Sequence, residues 1–294
     1  MRVAIGGSTG FLGRHLAERL RARGDEVIPL VRPSTRASGV AWDPVAGTLD
    51  TAALAGVDAV VNLAGHPVGR RWTRGQRARI WTSRVDATRA LCASLAAMPS
   101  PPEFVIGASA IGYYGERGTT ILDESSPPGS GFLAGVCRAW EAANAPARAA
   151  GIAVATIRTG IVLGLGGDLM KRLLPIFKLG LGGRLGSGMH YQSWISLEDH
   201  MRALLFLLDE RRAGAFNLTG PDPVTNAEFT RALAAVLRRP AFLAVPAVAL
   251  RIVLGNGFAR EVTSSQRVMP RALLDAGFTF AHTEVGDALR WALS

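Results

Sequence analysis

The sequence predicts an α/β fold organised on a doubly wound parallel sheet, with a smaller C-terminal α/β lobe. Three features of the 294 residues point to it. Short apolar runs alternate with amphipathic helical patterns from residue 1 to about residue 160, the order that βαβ units produce. The inner runs, residues 57–63 and 104–109, are almost wholly apolar, as strands covered on both faces must be. The first run passes directly into a glycine turn and a helix, the context that gives a glycine motif meaning.

Residues 1–5 form that first strand, and Gly7, Ser8, Thr9, Gly10, Phe11, Leu12 and Gly13 form the turn. Gly7 makes the tight bend, Gly10 allows close approach of a pyrophosphate, and Gly13 lets the helix pack on the sheet. The helix N-terminus then offers free N–H groups and the positive end of its dipole to phosphates. Gly24 closes the helix and residues 26–31 read as the second strand. NAD-binding proteins place an acidic residue at the end of this strand, to take the ribose hydroxyls. Here Arg32 stands there, with Ser34 and Arg36 close behind. Arginine would pair with a 2′-phosphate, so the expected cofactor is NADP(H). The alternative is a surface loop that happens to be basic.

Residues 40–43 are a short strand and 49–54 a short helix. The strand over 57–63 runs into Leu63-Ala64-Gly65, small enough to let a cofactor lie over the backbone. Asp58, just before it, reads as an adenine contact or an ordinary loop acid. Residues 72–98 predict one long helix or two. The strand over 104–109 ends in Ser109, with Tyr113 and Tyr114 just beyond, where open α/β sheets place ligands. Residues 132–150 are helical, and Pro146 bends or ends the helix early. A strand over 152–158 leads to the glycine-rich turn 160–167. Residues 179–188 are too rich in glycine for an element interior. Ser196 is a natural N-cap for a helix through Leu208, and Thr225 with Glu228 makes a capping box that opens another. The last fifty residues are mixed and of shorter period.

Composition narrows the classes. A hydrophobic content of 48% supports a large core, and no apolar run approaches the ~20 residues of a membrane helix. The first apolar run stops at Gly6, which argues against a signal peptide. The formal charge is +10, but the arginines are scattered along helices without a run of five. A solvated basic surface, helpful to a phosphate-bearing ligand, is expected rather than a nucleic-acid partner. Cys92 and Cys137 lack metal-type spacing, and the histidines are isolated from one another, so no metal site is expected. Two cysteines suit a reducing, cytoplasmic setting.

The order of these motifs is similar to that of the extended short-chain dehydrogenases/reductases. The match includes the GxxGxxG turn, Asn62 to Gly65, the serine strand end, and Arg158 through Gly164. More narrowly, the chain resembles the branch of epimerase family proteins, grouped with nucleoside-diphosphate-sugar epimerases, that carries a small C-terminal domain of unassigned role. Matching stretches run almost end to end, among them Arg71-Trp72-Thr73, Ser109 to Gly115, Trp140-Glu141 and residues 179–188.

The resemblance implies NADP(H) bound along the glycine turn, Arg32, Arg36, Leu63, Ala64, Gly65, Arg84 and Arg158. It implies a two-lobed arrangement: residues 1–165, completed by 191–219, bind the cofactor, while 166–190 and 220–294 form the substrate lobe. The parent family transfers protons with a Tyr-x-x-x-Lys pair. Counting back from Glu141 puts those positions at Leu133 and Cys137, which cannot do that work. Ser109, Tyr113 and Tyr114 are the remaining catalytic candidates, although holding the register at the final Tyr-Gly moves the serine position to Ala110. His66, Arg71, Trp72, Lys171, Arg184 and His190 are the substrate-pocket candidates. Ser196 replaces a histidine common in the branch. The implied activity is that of a sugar-nucleotide epimerase or a reductase acting on a small carbonyl or hydroxyl compound. The rival reading is a sensor that holds NADP(H) without turnover. Extended members of the family often dimerise through helices corresponding to 72–98 and 132–150, so the resemblance allows a homodimer, while the sequence itself leaves the oligomeric state open.

Overall fold

The structure is a computed structural model that describes residues 1–34 and 38–294. In the first half the elements are β1 (Arg2–Gly6), α1 (Phe11–Ala22), β2 (Glu26–Val31), β3 (Val40–Asp43), β4 (Thr48–Leu49), β5 (Ala59–Asn62), α2 (Arg74–Trp81), α3 (Ala87–Ala96), β6 (Phe104–Ala110), β7 (Ile121–Leu122), α4 (Phe132–Ala142), α5 (Ala145–Ala149) and β8 (Ala153–Thr159). Among the described residues eight strands make one sheet, in the order β13-β8-β6-β5-β1-β2-β3-β4, where β13 is Gly214–Leu218. All neighbours are parallel except the β3–β4 pair. The chain leaves β1 toward β2 on one side and returns to β5 on the other. The crevice beyond β1 and β5 is therefore the topological switch point, where such sheets bind ligands.

The expected parallel sheet is present, and burial explains its composition. On one face Val3, Ile5, Val61, Ile106 and Ile157 pack with Leu16 and Leu20 of α1. Leu204 and Leu207 join them from α7 (Leu197–Glu210). On the other face Ala4, Val60, Val105 and Val154 meet Leu91, Cys92 and Leu95 of α3. With both faces covered there is no room for polar alternation.

Three local readings change in detail. The helix expected over 49–54 is a single 3₁₀ turn, Ala52–Leu54, because Thr48–Leu49 pairs with β3 as an antiparallel edge. Residues 72–98 are two helices joined by a π-helical turn, Thr82–Asp86. The helix over 132–150 breaks at Ala143-Asn144, and Pro146 sits in the first turn of α5, where its missing N–H costs nothing.

The remaining elements are β9 (Ile161–Leu163), α6 (Asp168–Lys178), β10 (Gly183–Leu185), β11 (Tyr191–Gln192), β12 (Trp194–Ser196), β14 (Val224–Thr225), α8 (Asn226–Leu237), β15 (Leu243–Val245), α9 (Ala247–Leu254), α10 (Asn256–Val262), β16 (Arg267–Val268), α11 (Arg271–Asp275) and α12 (Val285–Leu293). A second core gathers Met170 and Phe177 of α6, Phe229 and Leu233 of α8, Leu289 of α12, and Trp194. Ser196 caps α7 through Asp199 N–H, and Thr225 with Glu228 forms the capping box of α8. Asp199, fully buried, also accepts the Ala281 and His282 N–H groups, which ties the C-terminal segment to α7. The short β16 pairs with β7 and Met269 N–H reaches Leu122 O, so residues 267–269 close onto the loops beyond β6.

Candidate functional site

At the switch point the backbone turns as the glycines require. Gly7 has φ +79°, and a Cβ there would stand 2.9 Å from Ala64 N. A Cβ on Gly13 would come 2.2 Å from Gly7 O, so the turn and helix can approach only without one. Beyond β5 the Asn62 side chain sets the facing turn: its Oδ1 accepts Ala64 N–H and its Nδ2 donates to Thr88 Oγ1. No side chain caps α1 and its first turn holds no acidic residue. Its N–H groups and dipole are therefore available to an anion.

These parts frame a cavity of about 370 Å³ lined by Gly7, Thr9, Gly10, Leu63, Ala64, Gly65 and His66 on one side and by Arg32, Trp42 and Pro44 on the other. Ser8 lines a shallower depression beside it, with Arg14 and Arg21. Phe11 packs against the Gly164–Gly167 turn, and Gly13 is buried under the motif. Leu12 sits in the first turn of α1, packed against the core. Arg36 lies outside the described residues.

The π-helical turn brings Ser83 to this cavity and sets Arg84 against Gly65 and His66, which line it. Ser83 Oγ accepts His66 N–H at 2.9 Å, and Arg84 Nη1 donates to His66 O at 2.8 Å. The Arg84 guanidinium stacks 5.0 Å over Trp140 and passes beside Gly65. Burial lowers its pKa, and among the described residues no carboxylate pairs with it. A partly buried cation without a counter-ion is costly unless a ligand supplies one. The uncapped helix, the close-packed glycines and this unpaired guanidinium all suit a phosphate-bearing dinucleotide.

Several candidates stand elsewhere than expected. Asp58 lies at the N-terminal edge of the sheet, where it accepts Arg2 N–H at 2.7 Å, so it is no adenine contact. Arg158, 4% exposed, is enclosed rather than presented to the cofactor cavity. It forms a bidentate pair with Glu141, with Nε and Nη2 each 2.9 Å from a carboxylate oxygen. Burial pulls its pKa down, but the Glu141 hydrogen bonds and charge outweigh this and raise it. Ser109 Oγ donates to the same carboxylate at 2.7 Å. Tyr114 is fully buried, with its hydroxyl donating to Asn217 Oδ1 and accepting from Arg158 Nη1. Burial pushes that phenol up to about 12. Tyr113 stacks on Arg158, 3.7 Å from the ring centre to the guanidinium carbon. Ser109 and Tyr114 thus brace the strand ends.

Leu133 and Cys137 project from α4 toward Gly112, and burial pushes the Cys137 thiol up to about 12. His66 Nε2 lies 3.1 Å from Gln76 Oε1. Lys171 is exposed on α6; Arg184 is exposed on β10 and donates to Ser187 O. Arg71 is exposed with its stem against Gly255. His190 is buried, which lowers its pKa. Of the substrate-pocket candidates, Trp72 lines a second cavity.

That cavity, about 480 Å³, lies between α2, the loops after β6 and α10. Trp72, Phe132, Arg77, Glu116, Arg260 and Glu261 are among the residues that line it. Trp72 meets Phe132 edge-on at 5.1 Å, and Arg77 sits 4.9 Å over the Phe132 ring. Sequence reasoning did not single out Arg77, Glu116, Arg260 or Glu261, since each sits in a run without motif or period. Among the described residues no cluster could hold a metal ion, and no helix is long and apolar enough to cross a membrane.

Fold and crevice together define a dinucleotide-binding α/β protein of the short-chain dehydrogenase/reductase type. Comparison with known proteins makes the assignment narrower. Residues 3–219 match the NAD dependent epimerase/dehydratase family, and residues 245–292 match a domain of unknown function (DUF1731). The epimerase family protein ML0860 of Mycobacterium leprae is 43% identical over 293 residues, covering 99% of this chain and 95% of that one. The human epimerase family protein SDR39U1, solved with NADPH, superposes with a TM-score of 0.91 at 34% identity, covering 99% of each chain. A nucleoside-diphosphate sugar epimerase from Corynebacterium glutamicum superposes at 0.79 with 36% identity, over 100% of this chain and 58% of that one. The chain belongs to the NAD dependent epimerase/dehydratase family, in the branch of epimerase family proteins that the sequence resembled.

Proposed function

We propose that this protein binds NADP(H) in the cavity at the switch point and uses it on a small molecule held in the second cavity. The observation that carries the reading is an uncapped helix N-terminus at the crevice, with the Arg84 guanidinium, which has no counter-ion, packed against the Gly65 and His66 backbone that lines it. The glycine turn and α1 would hold the pyrophosphate, Arg32 the 2′-phosphate, and Leu63 to Gly65 with Arg84 the remainder. When bound, the nicotinamide supplies or accepts a hydride at a carbon bearing oxygen. The NADPH in the human relative supports this choice of cofactor.

The substrate is a small carbonyl or hydroxyl compound. Trp72 and Phe132 suit a ring, and Arg77 with Arg260 suit an anionic arm. A sugar nucleotide has both features, and the relative from Corynebacterium glutamicum bears that name. An epimerase would return the hydride to the opposite face, and a reductase would use it once. In domain terms, residues 1–165 and 191–219 would hold the cofactor, while 166–190 and 220–294 would complete the substrate site. A non-catalytic NADP(H) sensor is favoured by a different observation: Leu133 and Cys137 face Gly112 where an acid–base pair would act.

Calorimetric titration of wild type and Arg32→Ala with NADPH and NADH tests the cofactor. Tight NADPH binding that weakens about tenfold in the variant, with NADH weak throughout, is expected. Absence of nicotinamide nucleotide binding would overturn the reading.

A further inference from the structure

We propose that Glu261, delivered by α10, is the proton-transferring residue of the second cavity: its carboxyl gives a proton to the oxygen of a bound carbonyl compound and takes it back from the corresponding hydroxyl. This rests on the oxidoreductase reading above and adds a group that reading lacks. The bound nicotinamide accounts for the hydride at carbon and Glu261 for the proton at oxygen, so carbonyl and alcohol interconvert in balance.

The argument begins with position. A Cβ on Gly112 would stand 3.6 Å from Glu261 Oε1, 3.4 Å from Leu133 Cβ and 3.8 Å from Cys137 Sγ. Glu261 thus reaches over the segment beyond β6 to the face of α4 that carries Leu133 and Cys137. Glu261 also lines the second cavity, together with Trp72 and Phe132. Packing of α10 sets this reach: Gly257 abuts the Trp72 ring and lies beside an Arg77 nitrogen, and Ala259 is buried.

The carboxylate is also uncommitted. Among the described residues no hydrogen bond or ion pair holds it. Glu116, the other acid of the cavity, is occupied: it accepts Ser265 N–H at 2.7 Å and Gly118 N–H at 2.9 Å. The groups facing Glu261 are Glu116 from the loop after β6, Cys137 from α4, Arg77 from α2 and Arg260 from its own helix. Burial first, then the Glu116 charge, raises the Glu261 carboxyl to about 7. A carboxyl raised in this way is suited to acid–base work near neutral pH. Of the other candidates, Ser109 is spent on Glu141 and the Tyr114 hydroxyl between Asn217 and Arg158, while Tyr113 lays its ring on the Arg158 guanidinium.

The full chain loaded with NADPH would be mixed with phenanthrenequinone as carbonyl probe, for wild type, Glu261→Gln and Glu261→Asp. Loss of nicotinamide absorbance would be followed from about pH 5 to about pH 9. Wild-type kcat should fall as pH rises through about 7. Glu261→Gln should lose about 100-fold in kcat and its pH dependence, while Glu261→Asp keeps a sloping profile. NADPH affinity, read by fluorescence, should be the same in all three. In cofactor-free protein, carbon-13 NMR of labelled glutamate should show one carboxyl titrating near 7 that disappears in Glu261→Gln. A Gln variant with wild-type rate and profile, or no such carboxyl, overturns the role of Glu261 and leaves the oxidoreductase reading standing. Tight NADPH binding with no turnover in wild type overturns both.

Discussion

Replacing Glu141 by Gln should unfold this protein more easily without loosening its hold on NADPH. The Arg158–Glu141 pair joins α4 to β8 beneath the ligand-bearing strand ends, with Arg158 4% exposed and the Glu141 side chain 15% exposed. The substitution removes the charge but not the bulk. It leaves a buried guanidinium facing a neutral amide, with two charge-assisted bonds and the Ser109 contact weakened. Breaking one side of a buried pair costs ~3–5 kcal/mol, and the retained amide oxygen places Gln toward the lower end, about 3 kcal/mol. With a urea m-value on the order of 3 kcal/mol/M, the midpoint should fall by about 1 M. Tryptophan fluorescence would follow the transition, because Trp140 lies one residue away and bonds to Thr88. A double variant, Glu141→Leu with Arg158→Met, should recover part of the loss, since an apolar pair leaves no stranded charge. NADPH affinity should stay within about threefold, which is under 1 kcal/mol. A midpoint shift under about 0.3 M, or lost NADPH affinity at unchanged stability, would refute the placement of Arg158 as a brace.

Other perturbations separate binding from folding in different ways. Arg84→Met should weaken NADPH binding tenfold or more, about 1.4 kcal/mol, while the thermal midpoint holds or rises; a calorimeter and a melting curve suffice. Gly13→Ala pushes a methyl group toward Gly7 O and should cost ~1–3 kcal/mol together with most NADPH affinity; an unchanged melting curve would contradict the packing of the motif. Glu261 carries the reverse of the usual carboxylate signature. Its folded pKa, about 7, lies above the ordinary 4.5, so the stability it contributes is fully present below about pH 4.5 and declines until about pH 7. In Glu261→Gln that decline should be missing, leaving the variant ahead of wild type by ~1–3 kcal/mol above pH 7 after discounting for solvent screening; equal pH–stability curves would count against it.

Much of the frame was legible in the chain. The parallel strands declared themselves because burial on both faces leaves a continuous apolar run, and the glycine turn because Gly7 and Gly13 stand where a Cβ would strike the neighbouring backbone. Capping residues at Ser196 and Thr225 marked helix starts through contacts three residues long. Arg84 was legible as a residue type and a position, but its lack of a counter-ion was not. That depends on the π-helical turn that swings it toward Gly65 and on Trp140, 56 residues away in sequence, which stacks against it.

The sequence by itself determined the class of fold, the switch-point crevice and the family, because each rests on periodicities and turns that act over a few residues. Tertiary structure alone decided which polar groups are spent and which remain available. Ser109, Tyr114 and Arg158 look alike on paper to free site residues, yet Glu141 and Asn217 consume them from distant elements. Glu261 belongs to no motif, and it becomes a candidate only when α10 packs on Trp72 and Arg77 and brings its carboxylate beside Gly112. A hydrogen bond or a desolvation penalty depends on distance in space, and separation along the chain does not encode it.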